Sequence, residues 1–259
     1  MPVLWKEEYQ GLLQFEEIEF SNEIIDVPSI KSNKRLGKLA ENLFSVWLKN
    51  SKRYKIIFEN LQIIENKKTL GELDVMLFDV INKEYIHLEL ITKFYLLNPE
   101  FKPNDIKAWV GPNRNDSLYD KVTKLKEKQL PLLYNKYTQE VVKPYLQKEW
   151  PVKQRVCFKA NLFVPLDFEG EMLIFNPKCI VGHYLTLPQF KKLHKSSNQY
   201  FCPSKQDWLR NANTQKDWVN FEEALSVIQK FMDLDQSLMV WIKGQENFKR
   251  IIIVPYDYF

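Results

Sequence analysis

The stretch "GELDVMLFDVINKEYIHLELITKFYL" (residues 71–96) decides the fold, because it reads as two β-strands that carry charged side chains among apolar ones. Side chains alternate between the two faces of a strand. By that alternation Asp74, Glu89 and Lys93 fall on the same side, opposite a face of leucine, valine and isoleucine. The pattern predicts a hairpin that gathers two carboxylates and an ammonium group.

The register of this hairpin decides how close the charges come. A turn centred on residues 82–83 pairs positions whose numbers sum to about 165, which places Asp74 diagonally across from Glu89 and Lys93, about 7–8 Å away between backbones. Two neighbouring carboxylates are unfavourable unless a cation neutralises them, and hard oxygen ligands suit Mg²⁺ or Mn²⁺. Ion pairs on a solvated sheet face are the alternative, and the neighbouring Glu72 leaves open which acid is the ligand.

A helix before the hairpin offers a third acid. Residues 34–50, "KRLGKLAENLFSVWLKN", carry apolar residues at helical spacing, with Ser32 or Asn33 available as the N-cap. Glu41 lies at the edge of the apolar stripe, one turn after Gly37, which would let another segment approach closely. A carboxylate aimed at the sheet is one reading, and a surface glutamate whose stem covers apolar neighbours is the other.

The order of elements predicts the fold class. A helix, three strands, a second helix over residues 117–130 and a buried strand over 155–166 indicate an α/β core with a mixed central sheet flanked by helices. The flanking stretches are predicted as an N-terminal helical extension and a C-terminal α+β extension packed on the core. These three regions are residues 1–33, 34–166 and 167–259.

Composition excludes several classes of protein. At 259 residues and 45% hydrophobic the chain can bury a substantial core, while a net charge of +4 is too small to indicate a nucleic-acid partner by itself. Three scattered cysteines without CxxC spacing favour reduced thiols in a cytoplasmic protein. Phosphate-binding glycine loops and the HExxH motif are absent, and no apolar run is long enough for a membrane helix or signal peptide.

Together these residues resemble the PD-(D/E)XK nuclease superfamily, which has the restriction-endonuclease-like fold. The similarity covers about residues 34–166. It comprises GxxxE in the first helix (Gly37–Glu41), GELD in one strand (Gly71–Asp74), and a further strand with an acid and a lysine (Glu89 and Lys93). More narrowly, "RLGKLAE", "HLELITKFYL" and "GPNRNDSLYDKVTKLKEKQL" resemble an uncharacterised bacterial family, a domain of unknown function grouped with that superfamily. The narrower resemblance extends over nearly the whole chain.

The resemblance implies a magnesium-dependent nuclease that hydrolyses phosphodiester bonds in nucleic acid. Asp74 and Glu89 would bind Mg²⁺ or Mn²⁺, Glu41 would be an additional metal-associated acid, and Lys93 would be the active-site lysine. The superfamily places its lysine two residues after the acid, where this chain has Ile91, and Lys93 lies about 13 Å from Glu89 along the strand. That displacement motivates the alternative of a catalytically degenerate module that binds nucleic acid or a protein partner.

A nucleic-acid surface is predicted on the helix that follows. Lys121, Lys124 and Lys128 recur at i, i+3 and i+7, so they line one stripe that could contact phosphates, or form an ordinary solvated face. Arg114 in the preceding loop is a weaker candidate. Gln129 resembles in position a glutamine on the equivalent helix of some nucleases.

Three aromatic residues are candidates to stack on unpaired bases, although such residues more often fill a core. They are Tyr95, Trp109 and Tyr119.

Overall fold

The computed structural model describes residues 1–16, 36–147, 150–212, 217–245 and 247–259. It forms two compact units, each assembled from separate stretches of the chain. The amino-terminal unit comprises Val3–Thr92 and Asp120–Lys159, and the carboxy-terminal unit comprises Met1–Pro2, Lys93–Tyr119 and Ala160–Phe259. The predicted limits at residues 33 and 166 stay a prediction.

The described residues form eleven strands and six α-helices. The strands are β1 Glu8–Tyr9, β2 Leu12–Leu13, β3 Tyr54–Glu65, β4 Lys68–Asp79, β5 Glu84–Leu97, β6 Trp109–Val110, β7 Val152–Val164, β8 Ile180–Thr186, β9 Gln199–Phe201, β10 Leu238–Lys243 and β11 Phe248–Val254. The α-helices are α1 Leu36–Lys49, α2 Leu118–Lys124, α3 Leu130–Leu132, α4 Lys136–Val142, α5 Leu187–Lys192 and α6 Phe221–Met232, with a π-helical turn over Leu125–Gln129.

Helices cover both faces of the sheet in the amino-terminal unit. β3, β4 and β5 pair antiparallel, and α1 buries Leu48 on the face that carries Val75 and Leu88. On the opposite face, Leu132 of α3 packs with residues of β3 and β4. A Cβ built on Gly71 would lie 2.6 Å from a methyl carbon of Leu132, so the glycine of the GELD motif lets α3 approach the sheet.

The register of the β4–β5 hairpin differs from the prediction by two residues. Val75 faces Leu88 and Asp79 faces Glu84, so paired numbers sum to 163 and the turn covers residues 80–83. The cause is Asp79, a fully buried residue whose Oδ1 accepts hydrogen bonds from the two amides that follow Val80, while its Oδ2 binds Arg53. A shift of two preserves side-chain alternation.

Residues 1–16 contain a hairpin, and the helical extension predicted for residues 1–33 is wrong for this part. β1 and β2 are joined by Gln10 and Gly11, which have φ of 49° and 84°. Two central residues with positive φ make the tight turn whose twist matches a two-residue hairpin. Residues 17–33 lie outside the described residues, as do the N-cap candidates Ser32 and Asn33.

The carboxy-terminal unit contains a mixed sheet. β8 runs parallel to β11 and to the end of β7, whereas β10 pairs antiparallel with both β11 and β9. α5 and α6 pack on its apolar residues, and Asn220 and Glu223 form a capping box at the start of α6. The predicted mixed α/β class, with a mixed sheet flanked by helices, is confirmed. Among the described residues no helix is long and apolar enough to cross a membrane.

Candidate functional site

Asp74 and Glu89 lie one residue beyond the last paired positions of β4 and β5, Asp74 just before Val75 and Glu89 just after Leu88. The ladder ends at Val75 and Leu88, and one step further Asp74 Oδ2 accepts a hydrogen bond of 2.9 Å from the amide of Leu90. The carboxylate thus replaces a main-chain acceptor of the ladder. Glu89 is completely buried beside it. Both acids adjoin the same last pair of the ladder, and this observed register corrects the predicted diagonal arrangement.

The environment of Asp74 disfavours its charge. Burial is the largest cause that raises the pKa of Asp74 to about 7, and repulsion by Glu89 is the second; Glu41 adds a smaller effect in the same direction. The Leu90 amide and the Lys121 ammonium oppose the rise. The acids therefore outweigh the positive charge near them, and Asp74 keeps its proton to a higher pH than an ordinary aspartate.

Glu89 is held at both oxygens. Its Oε1 lies 3.2 Å from His87 Nε2, and its Oε2 accepts a hydrogen bond from Gln129 Nε2. Gln129 Oε1 in turn accepts from Lys121 Nζ at 2.7 Å. On the other side of the imidazole, Gln154 Nε2 lies 2.9 Å from His87 Nδ1. A buried network of polar groups therefore fixes one of the two acids.

A π-helical turn presents Gln129 to this network. The sequence predicted a regular helix over residues 117–130, but the amide of Leu130 bonds to the carbonyl of Leu125, five residues earlier. Leu118, Val122 and Leu125 of this segment are buried. The wider turn lets Leu125 face the core while Gln129 reaches Glu89.

Glu41 lies on α1 with its side chain 32% exposed. It accepts a hydrogen bond of 2.8 Å from Lys38 Nζ, and the same ammonium donates to Asn60 Oδ1 of β3 at 2.6 Å. The close approach expected at Gly37 is not found, because an added Cβ there meets no atom within 4 Å in the described part of the chain. Glu41 acts on Asp74 through charge repulsion, which raises the pKa of Asp74.

Lys93 belongs to the carboxy-terminal unit, where its ammonium binds Asp116. Ile91, in the position where the superfamily pattern has a lysine, is 3% exposed. The catalytic role of Lys93 stays a prediction.

The basic residues predicted to contact nucleic acid have different surroundings. Lys124 and Lys128 are exposed, whereas the Lys121 ammonium is bound to Gln129. The Arg114 guanidinium pairs with Asp235, donates to the Asp257 carbonyl at 3.1 Å and lies over the Tyr258 ring. Arg114 therefore helps to hold the C-terminal residues of its own unit.

Two of the three aromatic candidates fill the core. Tyr95 and Trp109 are fully buried, and Trp109 donates its indole N–H to the Pro103 carbonyl. Tyr119 is 45% exposed and lies under the Lys107 ammonium, so it retains a surface on which a base could stack.

Sequence reasoning missed His87 and Gln154 and gave Lys121 a different role. His87 shares the strand face of Glu89 two residues away, so alternation alone could have flagged it. No short-range sequence pattern indicates the hydrogen bonds of Gln154 and Lys121, because the partners described above lie at least eight residues away in sequence.

The donor set suits a hard cation held by two carboxylates. Within the described residues no group of three or more His, Cys, Asp or Glu side chains is arranged to hold a metal ion. Mg²⁺ is usually bound by one or two carboxylates together with waters and substrate phosphates. Asp74 Oδ1 accepts no hydrogen bond from the described part of the chain, and each Glu89 oxygen retains a lone pair beside its one donor.

Comparison with models of protein families gives a match over most of the chain. The model of a family described as a domain of unknown function, DUF1853, matches residues 9–248. Neither the curated proteins nor the solved structures contain a match.

Proposed function

We propose that this chain, which belongs to the DUF1853 family, is a divalent-metal-dependent nuclease with a PD-(D/E)XK-like core. Asp74 and Glu89 would hold Mg²⁺ or Mn²⁺, and the substrate would be the phosphodiester backbone of nucleic acid. The chain would hydrolyse that backbone.

The observation that carries this proposal is the pairing of a buried acid, Glu89, with a partly buried one, Asp74, while no arginine or lysine of the described residues forms a salt bridge to either carboxylate. Glu89 is wholly buried, and the pKa of the neighbouring Asp74 is raised to about 7 by burial and by the charge of Glu89. A structural ion pair would bring an arginine or lysine into direct contact, as Arg53 does for Asp79 elsewhere in the same unit. A proton or a metal ion relieves the repulsion between Asp74 and Glu89.

Each residue has a definable task in such a site. A bound Mg²⁺ would lower the pKa of a water molecule and offset charge on a phosphate. Glu89, fixed at both oxygens, would present a ligand of constant orientation. Asp74 would exchange its proton for the cation near neutral pH. The exposed ammonium groups of Lys124 and Lys128 could hold the phosphate backbone nearby.

The test combines metal binding with hydrolysis. Calorimetric titration of Mn²⁺ into wild type is expected to show binding, and panels of DNA and RNA with Mg²⁺ or Mn²⁺ are expected to show cleavage. The Asp74→Asn variant should lose both. Glu72→Gln is the matched control and should leave both intact, since it removes an acid two residues earlier on β4 whose charge is not among the main causes that shift the pKa of Asp74. Equal cleavage by wild type and Asp74→Asn would refute the proposal.

A non-catalytic module is the second candidate, and one observation favours it. Lys93 is bound to Asp116, and buried Ile91 occupies the position of the expected lysine. In that case Mn²⁺ would give no heat of binding, no substrate would be cleaved, and the affinity for nucleic acid would be the same in wild type and Asp74→Asn.

A further inference from the structure

Glu89 belongs to a closed ring of hydrogen bonds that begins and ends at the π-helical turn. One arm runs from Glu89 Oε2 to the side chain of Gln129. The other runs from Glu89 Oε1 through His87 and Gln154 to the carbonyl of Leu130, which accepts from Gln154 Nε2 at 2.7 Å. Gln129 and Leu130 are consecutive, so the two arms meet in the backbone. All members lie in the amino-terminal unit.

The direction of each hydrogen bond follows from the partners at the ends. The Leu130 carbonyl can only accept, so Gln154 must present its NH₂ group there, and the second hydrogen of that group points to His87 Nδ1. Nδ1 is then an acceptor, and a neutral His87 carries its proton on Nε2, facing Glu89. The Lys121 ammonium can only donate, so Gln129 must turn its carbonyl to Lys121 and its NH₂ to Glu89.

We infer that His87 is a positioning residue for Glu89, locked by Gln154 in the Nε2–H tautomer. The inference rests on the proposed function and extends it to groups that do not touch the metal. His87 is completely buried and donates to Glu89 at 3.2 Å, so its imidazole fixes the plane of the carboxylate. Groups that orient a ligating side chain typically change metal affinity by about 10–100-fold when they are removed.

The first experiment uses metal-free protein, so it does not depend on the proposed function. The nitrogen chemical shifts of the histidine side chains, measured by NMR at pH 8, report which nitrogen carries the proton. The chain has three histidines, and His87→Gln identifies the signals of His87 by their loss. We expect one Nε2–H form in wild type and a mixture of both tautomers in Gln154→Met, which removes the lock. An Nδ1–H form or a mixture in wild type would overturn the inference.

The second experiment measures Mn²⁺ affinity in the same proteins. His87→Leu removes the donor and should weaken binding about 10–100-fold. His87→Gln places an amide N–H near the position of Nε2 and should recover most of that loss. Equal affinity in wild type and His87→Leu would overturn the positioning role. If wild type binds no Mn²⁺, the proposed function fails, and the tautomer measurement still decides whether Gln154 locks His87.

Discussion

Replacing Asp74 by asparagine should stabilise the metal-free protein at high pH. In the folded protein the pKa of Asp74 is raised from 3.8 to about 7, first by burial and then by Glu89. A pKa difference of about 3 corresponds to about 4 kcal/mol, because one pKa unit is worth about 1.4 kcal/mol. Since the folded state binds the proton more tightly than the unfolded state, wild type loses this stability as pH rises from about 4 to 7.

The variant does not lose that stability, and it keeps the local hydrogen bond. An asparagine Oδ1 can still accept from the amide of Leu90, so only the charge is removed. The free energy of unfolding of Asp74→Asn should exceed that of wild type by about 2 kcal/mol at pH 5 and by about 4 kcal/mol at pH 8. The two proteins should be nearly equal at pH 4.

Urea denaturation followed by tryptophan fluorescence, in buffers with a chelator, measures these differences. Glu72→Gln is the control, and its difference in free energy of unfolding from wild type should not increase with pH in this way. Saturating Mn²⁺ should reduce the difference in free energy of unfolding between Asp74→Asn and wild type at pH 8, because the ion binds folded wild type and not the variant. A difference that stays constant from pH 4 to 8, or an Asp74→Asn protein that is less stable than wild type at pH 8, would refute the electrostatic account of the site.

Three further predictions concern stability. Gly182→Ala should lower the free energy of unfolding by about 3 kcal/mol, since the new Cβ would lie 2.1 Å from the backbone carbonyl oxygen of Arg250. Denaturant midpoints measure this loss, and an unchanged midpoint would contradict the prediction. Gly37→Ala, in open space within a helix, should raise the same free energy by about 1 kcal/mol and serves as the matched control. Burial alone would raise the pKa of Asp79, but hydrogen bonds from Arg53 and the turn amides lower it below its usual value. The stability that ionised Asp79 contributes is therefore present above pH 4 and is lost as pH falls further. Arg53→Met should therefore cost about 3–5 kcal/mol at pH 7 and much less near pH 2, and an equal cost at both pH values would contradict the pairing.

Local patterns were sufficient to predict several elements. Strict alternation identified β4 and β5 and placed Asp74 and Glu89 on one side, and apolar spacing identified α1. These signals depend only on the period of side chains along a strand or helix.

Non-local contacts decided what the sequence could not predict. The β4–β5 register depends on Asp79, which binds Arg53 from 26 positions earlier in the chain. The π-helical turn has no signal in apolar spacing, because it accommodates a bond between Gln129 and Glu89, 40 positions apart. The ring around Glu89 also needs Gln154, which alternation along β7 does not distinguish from an ordinary polar residue.

The widened turn at Leu125–Gln129 has a consequence for aligning this chain with other members of its family. Removing one residue there would convert the segment to a regular helix and rotate every later position by about 100°. The glutamine would leave the carboxylate, although the deletion would look harmless in an alignment of a charged, lysine-rich stretch. The number of residues between Leu118 and Gln129 is therefore a sharper criterion for an intact site than the identity of the residues in between.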